Sequence, residues 1–164
     1  TGWLIRRLLA LKHGNGRPMV RLYGPANLTM RGGTLTMNFY DPIGHLVDYR
    51  RIEELAAQAR ISLRTGCFCN PGAGEAAEDL DEGDMRAAIE QAGREINLQR
   101  FLHVMQARGG KTAGAIRVST GLASNFADVE RFMRFAEGFR DQTALTVGTV
   151  SFDIESCRVV RDGG

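Results

Sequence analysis

Thr34-Leu35-Thr36-Met37-Asn38-Phe39 is the stretch that decides the fold; Gly32-Gly33 open it and the turn residues Asp41-Pro42-Ile43-Gly44 follow it. Leu35, Met37 and Phe39 alternate with Thr34, Thr36 and Asn38. Successive side chains of an extended chain point to opposite faces, so this period of two is a half-buried strand, apolar on one side and polar on the other. Outward from it the period changes. Toward the N-terminus, Leu4, Ile5, Leu8, Leu9 and Leu11 make residues 3–12 a largely buried helix. Gly14-Asn15-Gly16-Arg17-Pro18 ends it, and Met19 to Leu22 is a short strand. Toward the C-terminus, Asp48 is placed to cap a helix reaching about Arg60, with Ile52, Leu55, Ala56 and Ala59 on one stripe. Ile61 to Leu63 reads as a strand leading into the loop Arg64 to Gly72.

Two amphipathic helices are expected next, one lined by Met85, Ala88, Ile89 and Ala92, the other by Leu98, Phe101, Leu102 and Met105. Asn97 caps the second and Gly109-Gly110 stop it. Ala115 to Ser119 is a strand, and Asn125 caps a helix with Phe126, Val129, Phe132, Met133, Ala136 and Phe139 on its apolar face. Asp128 and Glu130 in its first turn and Arg140 in its last match the helix dipole. Leu145 to Ile154 alternates weakly and is read as a final strand. Short strands separated by helices predict an α+β layer, a small sheet covered by helices.

With 164 residues the chain suits one domain. Its 43% hydrophobic and 24% charged residues are ordinary for a globular protein. No apolar run reaches the ~20 residues that span a bilayer, and Arg6 and Arg7 interrupt the apolar start where a signal peptide would lie. A net charge of +2, carried by arginines scattered among acids, gives no patch for nucleic acid or membrane. Three cysteines do not make a disulfide framework and read as reduced thiols of a cytoplasmic protein. The sequence enters a helix almost at once with no starting Met, which is expected of a fragment of a longer polypeptide.

Cys67 and Cys69 stand at i and i+2 in a Gly- and Pro-containing loop beside Arg64. A thiol reacts as its thiolate, which exposure and neighbouring positive charge favour. The alternative is that both are small core residues, as free cysteine often is. Zinc is not expected: two thiols lack a second pair of ligands, Cys157 is distant, and His13, His45 and His103 fall in different elements. Gly109-Gly110-Lys111-Thr112 is not a phosphate-binding loop, because the first glycine of that motif falls on Met105 and a helix precedes it. Arg117, inside Ile116-Arg117-Val118-Ser119, lies either on a solvated strand face or toward an anion.

Arg64-Thr65-Gly66-Cys67-Phe68-Cys69-Asn70-Pro71-Gly72-Ala73 resembles the active-cysteine loop of molybdenum cofactor sulfurases, and more broadly the Arg-Thr-Gly-x-x-Cys loop of cysteine desulfurases. Ala115 to Ser119, followed by Gly121-Leu122-Ala123-Ser124-Asn125 and a helix, resembles the closing signature of the same class-V aminotransferase superfamily. Trp3-Leu4, Asn15-Gly16-Arg17-Pro18 and Tyr23-Gly24-Pro25 carry the likeness to the N-terminus. It covers residues 1–140 as the C-terminal domain of a fold-type I enzyme dependent on pyridoxal phosphate (PLP), leaving 141–164 as a tail with one further strand.

The resemblance implies that a lysine of a large domain holds PLP, which serves as electron sink for the amino-acid substrate. It also implies that a thiolate takes sulfur from L-cysteine, leaving alanine and an enzyme persulfide. By position in the loop Cys69 is that nucleophile, Arg117 matches the arginine that receives the substrate carboxylate, and Arg64 matches an arginine close to the cofactor. Molybdenum cofactor or an acceptor protein would take the sulfur, and the intact enzyme would be a homodimer. The sequence departs from the family in that Lys12 and Lys111 are its only lysines, neither with the context of a Schiff-base lysine, and in that residues to clamp the cofactor phosphate and stack on its ring are absent as well. The isolated chain is therefore expected to be inactive. The paired thiols argue against an aminotransferase or epimerase of the same superfamily; a non-catalytic dimerisation or docking module is the remaining alternative.

Overall fold

The first helix, α1 (Gly2–Ala10), buries Leu4, Ile5 and Leu8 and stops where Leu11 turns extended. This is the opening of a computed structural model that describes residues 1–66, 114–143, 150–153 and 158–161, with isolated helical positions at 83, 86 and 90. From Leu11 the chain doubles back through Gly16, whose φ of +84° suits glycine. Strand β1 (Val20–Tyr23) follows, then β2 (Thr34–Phe39), paired antiparallel with Val20 opposite Phe39 and Tyr23 opposite Thr36.

Helix α2 (Tyr49–Gln58) begins where expected, because the Asp48 side chain accepts from the Arg50 N–H at 2.8 Å and satisfies one of the free donors of the first turn. It ends in two linked bonds: Ile61 N–H donates to Ala56 C=O at 2.8 Å and Arg60 N–H to Ala57 C=O at 3.0 Å. That is a Schellman closure, with Arg60 at φ +56° in the position glycine usually takes. The short strand β3 (Arg64–Gly66) follows.

Beyond residues 67–113, β4 (Ala115–Ser119) pairs antiparallel with both β2 and β3, giving a four-stranded sheet of order β1-β2-β4-β3. Strands β2 and β3 thus run parallel with β4 between them, a split βαβ arrangement bridged by α2. The last helix of the layer, α3 (Phe126–Glu137), carries a full capping box: Asn125 accepts from Asp128 N–H at 3.1 Å and Asp128 accepts from Asn125 N–H at 3.0 Å. In the tail, β5 (Val150–Asp153) and β6 (Arg158–Arg161) form a separate antiparallel pair.

The α+β architecture is the expected one. Val20, Leu35, Met37, Phe39 and Ile116 from the sheet join Leu4, Ile5 and Leu8 of α1, Ile52 of α2, and Phe132, Met133 and Ala136 of α3 in one core. Helices α1 and α3 also meet edge-on through Trp3 and Phe126, whose ring centroids are 4.9 Å apart. The Arg7–Glu137 ion pair beside them, at 2.9 Å, is largely exposed and adds little.

Three expectations need correction. Arg140 is not in the last turn of α3, which ends at Glu137 and has Arg134 as the basic residue there. Ile61 to Leu63 are not in a strand; the ladder starts at Arg64. The left-handed turn at Arg60 sends the chain back along α2, so it reaches β4 three residues later than the apolar pattern suggests. For the same reason Arg64, Thr65 and Gly66 belong to the sheet and not to the loop that follows. Of the helix expected around Met85 to Ala92 only Arg86 and Glu90 are described, both helical; the helix expected around Leu98 to Met105, Lys111 and the residues of the cysteine loop beyond Gly66 lie outside the described residues.

The capping box gives a direct test of the C-terminal helix. Asn125→Ala removes the acceptor for Asp128 N–H, and a lost N-cap of this kind costs about 1 kcal/mol. Urea unfolding should show a lower midpoint at an unchanged slope, since the surface exposed on unfolding is the same.

Candidate functional site

Strand alternation places Val20, Leu22, Leu35, Met37, Ile116 and Val118 toward the helices. Their neighbours therefore face the other way, and register lines them up. Tyr23 is opposite Thr36, Thr36 opposite Arg117, and Arg117 opposite Arg64. Side chains directly opposite across a ladder have Cβ atoms about 4.5–5.5 Å apart. Tyr23, Thr36, Arg117 and Arg64 thus form one row on the polar face, about 14 Å from end to end at normal strand spacing. Arg64 is exposed, while Arg117, Thr36 and Tyr23 are half-buried. Arg117 is therefore not simply a solvated side chain on an outer face.

Two like charges directly opposite on neighbouring strands work against pairing. Their guanidiniums can, however, converge on one anion, and a carboxylate matches the planar fork of either. What this row can do chemically is receive a negatively charged group.

Beside the row, Asn38 is 1% exposed although polar and in mid-strand. Its Nδ2 donates to Tyr23 Oη at 3.0 Å and to the Gly114 carbonyl at 3.3 Å. It thereby ties the edge strand β1 to the entry of β4, and the Arg21 guanidinium lies 5.4 Å from the Tyr23 ring. Thr36, Asn38 and Tyr23 were not singled out in the sequence. The polar half of the alternating pattern already put Thr36 and Asn38 on the face away from the core, but only the register brings them beside Arg117.

Tyr49, the first residue of α2, stands where β3 ends and β4 begins. A Cβ on Gly114 would meet its Cε1 at 2.3 Å, and one on Gly66 would stand 4.0 Å from its Cε2. Gly66 has φ +96° and immediately precedes Cys67. Asp48 accepts from Arg50 Nε at 2.9 and 3.1 Å, a hydrogen bond that raises the Arg50 pKa above its ordinary value, and the Arg50 guanidinium lies 5.8 Å from the Tyr49 ring. Of the three expected site residues, then, Arg64 and Arg117 are brought together on one face, and Cys69 lies outside the described residues.

Lys12 is the only lysine among the described residues. Lys12 is exposed beyond the C-terminus of α1, bridged to Pro18, and its carbonyl accepts from Arg140. Lys111 is outside the described residues. Among the described residues no three His, Cys, Asp or Glu side chains are grouped to hold a metal ion, and no helix is long and apolar enough to cross a membrane.

Fold and site together define a small α+β domain that presents an arginine-bearing polar sheet face, with the strand β3 that precedes Cys67 at its edge. In sequence it is a relative of the molybdenum cofactor sulfurases. That of Solanum lycopersicum is 42% identical over 137 residues, covering 84% of this chain and 16% of that protein. The Arabidopsis thaliana sulfurase is 38% identical over 138 residues, covering 79% and 16% respectively. The human one is 31% identical over 131 residues, 78% of this chain and 14% of the protein. The chain thus spans about 16% of the length of these relatives, an extent suited to one domain of a larger enzyme. No family model and no solved structure matches it.

Proposed function

We propose that this chain is the C-terminal domain of a PLP-dependent sulfurtransferase of the cysteine-desulfurase type. The observation that carries the reading is the in-register pairing of Arg64 with Arg117 on the polar face, in a relative of molybdenum cofactor sulfurases. Arg117 receives the α-carboxylate of L-cysteine in a bidentate pair, and Arg64 adds a second positive charge beside it. Thr36 and Tyr23 continue the polar surface along the same row.

Cys69, five residues beyond Arg64, accepts the sulfur. The carbon–sulfur bond of the substrate breaks, a sulfur–sulfur bond to Cys69 forms, and a proton ends on the carbon, so that alanine leaves and Cys69 is left as a persulfide. The balance needs no external oxidant. PLP supplies an electron sink when bound. In this reading a different domain holds it, since Lys12 has no Schiff-base context and lies exposed beyond α1. The persulfide sulfur then passes to molybdenum cofactor or to an acceptor protein. The intact enzyme is a cytoplasmic homodimer in this reading.

The test compares the intact enzyme with this chain alone. The intact enzyme, given PLP and L-cysteine, is expected to form one alanine for each persulfide in the first turnover. The chain alone should give no alanine and no borohydride-trappable PLP adduct. A stoichiometric adduct at Lys12 or Lys111 would overturn the division of labour; alanine formed without a persulfide would point to the thiol-independent chemistry of the superfamily.

A further inference from the structure

We infer that the outer edge of β1 is a docking site for an extended, acidic polypeptide segment, which joins the sheet there as a further strand. Strand β1 ends the sheet, and among the described residues no strand lies beyond it. Register decides which of its backbone groups are left over. The Tyr40 N–H donates to the Met19 carbonyl at 2.9 Å where β1 and β2 begin to pair, and the Thr120 N–H donates to the Gly33 carbonyl at 2.8 Å on the other side of β2. In an antiparallel ladder the pairs that exchange bonds alternate with those that do not. Both bonds therefore direct the backbone groups of Thr36 and Asn38 toward β1, where Tyr23 and Arg21 stand opposite them. The N–H and C=O groups of Val20 and Leu22 point the other way, out of the sheet.

A groove of about 540 Å³ lies at this edge. Leu9, Pro18, Val20 and Leu22 give it an apolar wall, and Arg17 and Arg21 stand beside that wall, both exposed. Leu9, at the end of α1, keeps 45% of its surface exposed there. Asp41 also lines the groove but turns its charge inward: it is 1% exposed, and its Oδ1 accepts from the Ile43 and His45 N–H groups at 3.0 and 2.8 Å. The charge offered to a partner is thus positive.

Backbone and side chains together specify the occupant. Residues directly opposite across a ladder share a face, so those set against Val20 and Leu22 are apolar, and the one between them, set against Arg21, is acidic. The edge is only four residues long, so the backbone bonds supply a modest affinity and the charge and apolar wall supply the selectivity. A second copy of this chain is a poor occupant. Pairing Val20 of one copy with Leu22 of the other would set the two Arg21 side chains directly against each other, and like charges so placed oppose pairing.

The experiment measures fluorescence anisotropy of a labelled peptide that alternates valine with glutamate, titrated with this chain, against a counterpart that alternates valine with lysine. The acidic peptide is expected to bind saturably and about tenfold or more tighter than the basic one at low salt, with the advantage shrinking as salt screens the charges. N-methylation of its valines removes the donors that face β1 and should abolish binding, whereas N-methylation of its glutamates leaves it. Arg17→Glu combined with Arg21→Glu should reverse the preference between the two peptides, a gain that a misfolded protein cannot show. Arg21→Gln, which removes one charge, should narrow the preference and covers the case in which the double variant fails to fold.

Absence of saturable binding by the acidic peptide overturns the inference and leaves Arg21 as a charge that guards an edge strand. Equal binding of the two peptides overturns it as adsorption, and undiminished binding of the valine-methylated peptide overturns it as contact without strand addition. A dimer of this chain that excludes the acidic peptide would also overturn it, by placing a second copy at the edge.

Discussion

Cys69→Ser in the intact enzyme is expected to abolish persulfide formation, whereas Cys67→Ser leaves most of it. Serine keeps the shape of cysteine but is a far poorer nucleophile toward sulfur, so the loss is one of chemistry and not of folding. The two thiols differ by position. Cys67 directly follows Gly66, the last residue of β3. Cys69 is two residues further on, next to Asn70-Pro71-Gly72, and five residues beyond Arg64, the place of the nucleophile in the desulfurase-like loop. Mass spectrometry after brief exposure to L-cysteine and PLP reads the result as one added sulfur on the loop peptide. Sulfur found on Cys67, or undiminished in the Cys69→Ser enzyme, would defeat the assignment.

Arg117→Lys should cost about ten- to a hundredfold in substrate use, because lysine keeps the charge and loses the paired hydrogen bonds to a carboxylate. A charge-assisted contact of this kind is worth about 1.5–3 kcal/mol. The position makes the comparison clean. Arg117 sits in the middle of β4, flanked by β2 and β3, and its side chain is on the face away from the core, so the substitution leaves the packing of Ile116 untouched. The loss should appear in the specificity constant for L-cysteine, with thermal melting unchanged. Unchanged kinetics would return Arg117 to an ordinary position on a strand face.

The parts of this fold that were legible in the sequence are those decided by neighbours along the chain. Asp48 and Asn125 mark helix starts because a cap needs only the two or three residues that follow it, and both side chains make the expected bonds. The alternation from Thr34 to Phe39 likewise separates the two faces without knowledge of any partner strand. The start of β3 was not legible, since nothing in an arginine announces the left-handed conformation that Arg60 adopts. Nor was the pairing of Arg64 with Arg117, because β4 enters between β2 and β3 from far along the chain and no local pattern encodes that insertion. The weak alternation over 145–154 gave a single segment, whereas β5 and β6 are two short strands that support each other. The role of the thiol loop was read through resemblance, with the neighbours Asn70-Pro71-Gly72 the one local sign that sets Cys69 apart from Cys67.

The contact between α1 and α3 sets the order in which the domain can be made. Arg7 and Glu137 are 130 residues apart in the chain, and the core that Leu4, Ile5 and Leu8 enter is not complete until Phe132, Met133 and Ala136 have been synthesised. At the usual ribosomal pace of about 5–20 residues per second, that interval is roughly 6–26 s. During it the apolar stripe of α1 is covered only from the side of β1 and β2, and the nascent domain is a natural client for chaperones that shield exposed hydrophobic segments. A slower codon before the end of α3 therefore prolongs the vulnerable state.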